Sequence, residues 1–193
     1  MDFQAYRPLA LRTAKMFPEP RLNLRHAALG LLTELGELAT EVKRVAIYGK
    51  ELTEPMRLHA IEEAGDAQWY LPLALLAVEA TDQEIADAFD TFSPEEDLHC
   101  EGLADLCCSM SAMSGCVALV AASTEDLDRE MVIMSCVAII ALMDAKVAPM
   151  LGVEPDALRF GNIAKLRVRH PDAYTDAAAE ARADKGGLPA TES

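Results

Sequence analysis

Between Leu24 and Ile47 the apolar residues recur at intervals of three and four: Ala28, Leu31, Leu32, Leu35, Leu38, Ala39 and Val42. That spacing lays them along one stripe of an α-helix, because 3.6 residues make a turn. The same period returns between residues 55 and 80, where Ile61, Ala64, Gln68, Leu71 and Leu75 share one side. A strand would need two-residue alternation and β-branched or aromatic runs. Here aromatic residues are only 5% of the chain, and Ala, Leu and Met are abundant. These are good helix formers, so the expected fold class is all-α. At 193 residues the chain is long enough to bury a core of its own.

The organisation follows from caps and breakers. A short N-terminal helix is expected, delayed or bent by Pro8. After the loop at 18–23, Asn23 reads as a cap for the helix to Ile47. The next helix, about 55–80, contains Pro72, which should bend or interrupt it. Thr81 and Glu84 form a capping-box pattern for a short helix to about Asp90. Ser93, Pro94 and Glu96 carry cap, first-turn proline and N3 acid for a helix through "CCSMSAMSGCVALVAA". Ser123 or Thr124 should restart a helix to about Met150, and a last core helix should end at Pro171. One all-α domain is therefore expected over 1–175, with a flexible tail at 176–193 that is part helix, then disorder.

Charge and cysteine usage narrow the partners. A formal charge of -15 repels a nucleic acid polymer, and "KLRVRH" at 165–170 is too short to overcome that field. The five cysteines lie in apolar helical text without a C-x-x-C pair, which fits buried thiols in a reducing compartment. No basic start followed by an apolar run is present, so a cytoplasmic location is expected. "SCVAIIALM" at 135–143 is too short for a bilayer span and reads as core, so no membrane partner is expected.

The acids are less ordinary. Glu34 and Glu37 lie beside the first apolar stripe, and Glu63 and Asp66 lie on the next helix. Residues three apart share a helix face. Antiparallel packing of the two helices would bring all four carboxylates to one point. Like charges there repel, and burial adds a desolvation penalty. Hard divalent ions such as Mg²⁺ or Mn²⁺ would compensate, whereas the absence of nearby histidine argues against zinc. An E-x-x-E pair by itself is usually a solvated face, and it is the second pair that changes the balance. Glu41, one turn further on, either joins the site or pairs with Arg44 or a nearby lysine. "EDLH" at 96–99 resembles half of a di-iron unit, but a single copy reads as chance.

"HAALGLLTELGELATEVK", "YGKEL" and "IEEAGDAQWYL", together with the late "NIAKLRVRHPDAY", resemble the all-α nucleoside triphosphate pyrophosphohydrolases of the MazG-like group. The likeness covers about 24–90 and 154–174 and rests on E-x-x-E, a loop of some two dozen residues, and E-x-x-D. It implies a helical-hairpin bundle that cleaves a nucleoside triphosphate between its α and β phosphates, releasing a monophosphate and pyrophosphate. Glu34, Glu37, Glu63 and Asp66 would be its metal-binding and catalytic residues, with Mg²⁺ or Mn²⁺ as cofactor. Lys43, Lys50, Lys165 and Arg169 become candidates for phosphate contacts, against an ordinary surface role. Asn162 either reads base or sugar by its amide or serves as a helix cap or interior hydrogen-bonding group. Trp69 reads first as core packing and second as a stacking ring. A homodimer or higher homo-oligomer is expected. The alternatives are a phosphoribosyl-ATP-type pyrophosphohydrolase and a non-catalytic nucleotide-binding or interaction protein with a decayed site.

About 60 residues separate the carboxylate hairpin from the late segment, unlike compact members of the group. Shifted by 72 residues, 61–90 falls on 133–162, and shifted by 78, 32–42 falls on 110–120. The low identity fits either chance between two Ala/Leu-rich hairpins or a degenerate second copy at 94–162, making the chain a pseudo-dimer. In that alignment Glu34, Glu37, Glu63 and Asp66 fall on Ala112, Gly115, Ser135 and Ala138, so the acids are lost.

Overall fold

The computed structural model describes residues 1–94 and 102–181. Among them every regular element is helical: α1 (Phe3–Leu11), α2 (Pro20–Ala46), α3 (Glu54–Ala77), α4 (Asp82–Thr91), α5 (Leu103–Ala122), α6 (Arg129–Leu142), α7 (Ala148–Met150), α8 (Pro155–Arg169) and α9 (Asp176–Ala181). A π-helical turn, Met143–Val147, joins α6 to α7.

Helices α2, α3, α5 and α6 form a closed ring. α2 packs on α3 and α5, and α6 packs on α5 and α3. α8 and α1 lie against α3, while α4 lies against α6. The stripe read from the sequence is the buried one for Ala28, Leu31, Leu35, Leu38 and Val42, whereas Leu32 is exposed. α3 runs unbroken through Pro72, which is buried between its neighbours.

Several predicted boundaries move. α2 starts four residues early, because Pro20 in its first turn presets the backbone. Asn23 is therefore inside the helix and buried. Its amide oxygen accepts from Phe17 N at 2.8 Å and its amide nitrogen donates to Phe17 O at 2.9 Å, tying the incoming loop to α2. Thr81 and Glu84 form the capping box as read. The cap of α6 is Asp128, which accepts from Met131 N, while the hydroxyl of Ser123 accepts from Glu125 N in a local turn. Glu96 and "EDLH" lie outside the described residues; α5 is described from Leu103. The expected partial helix in the tail is α9.

Burial along α2 and α5 follows a common pattern. In α2 the buried residues include Ala27, Ala28, Leu31, Leu35, Leu38 and Val42. In α5 they include Leu106, Cys107, Met110, Ser114, Val117 and Ala121, the same pattern at a shift of 79 rather than 78. At that register Glu34 and Glu37 correspond to Met113 and Cys116, so the second hairpin still lacks the acids.

Length does not exclude a bilayer span as the sequence reading supposed. The stretch Arg129–Met150 is continuous over 22 residues, and both it and α5 are long and apolar enough. Two thirds of the former is buried inside the protein, against one third of α5.

Glycines set two close approaches. A Cβ at Gly30 would meet the Tyr70 ring at 2.0–2.5 Å, and one at Gly65 would sit 2.7 Å from the Leu158 carbonyl oxygen. The second contact is backbone and cannot rotate away. Gly65→Ala must push α8 off α3, an overpacking cost of ~1–3 kcal/mol. The expected result is a lower midpoint in thermal denaturation.

Candidate metal centre

α2 and α3 bring the two acidic pairs together. Oxygens of Glu34, Glu63 and Asp66 all lie within 4.8 Å of one another. A second triad, Glu37, His59 and Glu63, meets the same limit, so Glu63 belongs to both. Glu63 is buried, Glu34 and Asp66 are half-buried and Glu37 is exposed. The acids line a pocket of about 420 Å³ between α2, α3 and α8.

The electrostatics are those of crowded acids. Burial, the contact with Glu34 and the charges of Glu37 and Asp66 push Glu63 up to about 8. Burial also raises Glu34; its hydrogen bond with Glu63 opposes the shift, while Asp66 and Glu37 add to it. Tyr70 on the pocket wall is pushed up to about 12 by burial and by the same carboxylates.

α8 supplies the compensation. Lys165 Nζ donates to Asp66 and, at 3.0 Å, to Glu62. Burial works against its charge, but these two carboxylates outweigh it and raise the ammonium above its usual range. Asn162 donates to Asp66 Oδ1 at 2.9 Å and accepts from the Tyr6 hydroxyl at 2.8 Å. Both ends of its amide make interior hydrogen bonds, and the residue also lines the pocket. Asn162 orients Asp66.

His59 and Glu41 lie behind the acids. His59 Nε2 is 2.8 Å from Glu63 Oε1, and Nδ1 is 3.2 Å from Glu41 Oε1. Glu41 is 5% exposed and also takes Arg44 on both oxygens at 3.0 Å. Of the alternatives for Glu41, pairing with Arg44 is realised, and through His59 it also supports Glu63. His59→Ala leaves Glu63 without this brace, and loss of such an outer partner typically costs 10- to 100-fold in metal affinity. Calorimetric titration with Mg²⁺ is expected to show a loss of about that size, with the helical circular dichroism unchanged.

The remaining candidates separate. Lys165 and Arg169 line the pocket, and Lys43 and Lys50 do not. Lys43 is an exposed residue of α2. Lys50 lines a shallow hollow with Arg44, Tyr48 and Met56. Lys43 lies nearly two turns beyond Glu37 along α2, and Lys50 lies in the loop after that helix. Trp69 donates its indole N–H to Ala10 O and Thr13 Oγ1, each at 3.0 Å, and so ties the end of α1 to α3; its ring also lines the pocket.

Sequence reasoning did not single out Lys15, Phe17, His26, Tyr70 or Tyr174, which line the same pocket. Most come from the N-terminal loop and the segment after α8, and only the fold joins them. His59 had a legible signal: it stands four residues before Glu63, on the same helix face. No family model, curated protein or solved structure matches this chain.

Proposed function

We propose that this chain is a Mg²⁺-dependent nucleotide pyrophosphohydrolase, cleaving an NTP or dNTP between the α and β phosphates. The observation that carries this reading is the pair of triads sharing Glu63, one of three carboxylates and one of two carboxylates with His59, set in a pocket with cations and aromatic rings on its walls. The donors fit a hard divalent ion: all but one are carboxylate oxygens, and the single lysine at Asp66 leaves most of their charge uncompensated. Mg²⁺ or Mn²⁺ held there would neutralise phosphate oxygens and lower the pKa of the attacking water.

The chain's own residues do the positioning. Glu34, Glu37, Glu63 and Asp66 hold the cation. Asn162 and Lys165 fix Asp66 from α8, and His59 fixes Glu63 from one turn before it. Lys15 and Arg169 lie on the pocket wall, where a polyphosphate needs cations. Phe17, His26, Tyr70 and Tyr174 offer flat apolar surface for a base. Such a site supplies orientation and charge neutralisation, which is most of what phosphoryl chemistry needs.

The test is incubation with a panel of NTPs and dNTPs, with Mg²⁺ and with chelator. Monophosphate and pyrophosphate are expected, only with metal. Orthophosphate release contradicts the cleavage site. Nucleotide binding without turnover supports the non-catalytic alternative instead.

A further inference from the structure

We propose that residues 171–181 form a releasable strap on the rim of the acidic pocket, and that Asp176 on it holds the Lys15 ammonium where a phosphate group of the ligand would take it. The proposal rests on the pocket receiving a phosphorylated ligand, as argued above. The strap follows directly on α8, which ends at Arg169. Tyr174 and Ala179 of the strap line the pocket, and so does Lys15 from the loop after α1. All three are partly exposed whereas Glu63 is buried, which puts them toward the rim and the acids toward the floor.

Two sets of contacts hold the strap, and they differ in kind. At its start Arg12 Nη1 donates to Pro171 O at 3.0 Å and to Asp172 O, and Tyr174 N donates to Arg12 O at 3.3 Å. Arg12 does not line the pocket, so a ligand there leaves this anchor in place. Further on, Asp176 Oδ1 accepts from Lys15 Nζ at 2.5 Å and from the Tyr174 hydroxyl at 2.7 Å. Lys15 Nζ also lies 6.0 Å from the Phe17 ring centre and 5.8 Å from that of Tyr174. The hydrogen bond raises the ammonium above its usual range and, with that from Tyr174, holds the Asp176 carboxyl below its own. α9 buries none of its side chains, and a helix of six residues is not stable by itself. Among the described residues, the far end of the strap is therefore fastened by polar contacts, with the Lys15–Asp176 pair as the latch.

A phosphate group competes for that latch. A polyphosphate entering the pocket meets four carboxylates in a chain of net charge -15, so each cation on the wall matters. Lys165 is already committed to Asp66 and Glu62. Lys15 is held by Asp176, whose side chain is 66% exposed and regains its hydration on release. Exposed ion pairs of this kind are weak. A phosphate offers the ammonium more oxygens and more negative charge than one carboxylate does. The exchange also takes a negative charge from beside the incoming phosphates. The empty pocket therefore has its strap latched, and the filled pocket has the strap tethered at Arg12 alone.

The test uses the full chain, with inorganic pyrophosphate and excess Mg²⁺ as the probe. Hydrogen–deuterium exchange over 174–181 should be faster with the probe than with Mg²⁺ alone, while α2 and α3 do not speed up. Asp176→Asn should show the faster exchange without the probe. By calorimetry it should bind pyrophosphate about two- to fivefold tighter, the size of one exposed ion pair. Lys15→Met should weaken binding, and on that background most of the gain from Asp176→Asn should vanish. Strap exchange that stays unchanged or slows with pyrophosphate, or an Asp176→Asn variant that binds it no tighter, would overturn the proposal. Nucleotide hydrolysis beside an indifferent strap overturns this proposal alone. A strap that answers pyrophosphate in a chain that turns over no nucleotide overturns the pyrophosphohydrolase reading alone.

Discussion

Glu63→Gln is expected to reduce Mg²⁺-dependent turnover by about a thousandfold or more. Glu63 is the one residue common to both triads, so its loss degrades both. Metal stabilisation of a phosphoryl transition state is worth several kcal/mol, and ~1.4 kcal/mol is a factor of ten. The same substitution removes the negative charge that three neighbouring acids disfavour. The chelator-treated variant should therefore melt higher than the wild type at pH 8. An inactive variant that also melts lower would point to a broken fold instead. Turnover within tenfold of wild type would remove Glu63 from the chemistry.

The second large effect is a pH dependence whose direction metal should change. Glu63 sits at about 8 in the fold, against 4.5 as the ordinary value. Between those limits the folded chain binds more protons than the unfolded one, so stability falls as pH rises. Stability from the proton on Glu63 is fully present below about 4.5 and is lost as pH passes about 8. Glu34 is shifted the same way and adds to the slope. In chelator the melting midpoint should fall across this window. Mg²⁺ competes with that proton, so its stabilisation should be larger at pH 8 than at pH 6. At a hundred times its dissociation constant a ligand stabilises by ~2.7 kcal/mol, or about 5–10 °C for a domain of this size. A midpoint that rises with pH in chelator would contradict the crowded-acid account.

Much of this site was legible because it is local. Glu34, Glu37, Glu63 and Asp66 announce themselves by helical spacing on consecutive elements, and consecutive helices usually pack. The all-helical architecture followed from period and composition for the same reason. What was not legible depends on distant chain. Asn162 is 96 residues from Asp66, and the Tyr6 hydroxyl that fixes it is 156 residues away. Lys43 and Lys50 were attractive because they are near the acids in sequence, but Lys43 lies further along α2, Lys50 lies in the loop after it, and neither lines the pocket. Asn23 misled for a related reason: a good capping residue loses its position when a proline starts the helix earlier. The register of the second hairpin needed burial, since a slip of one residue is invisible in Ala/Leu-rich text yet turns a helix face by about 100°.

Anomalous diffraction at the manganese edge addresses the central claim most directly, using crystals grown with Mn²⁺ and a non-hydrolysable nucleotide. The account predicts peaks about 2.0–2.2 Å from oxygens of Glu34, Glu63 and Asp66, with Glu37 beside them and the α and β phosphates on the same ions. A cage without a peak, or nucleotide bound in another part of the molecule, would contradict it.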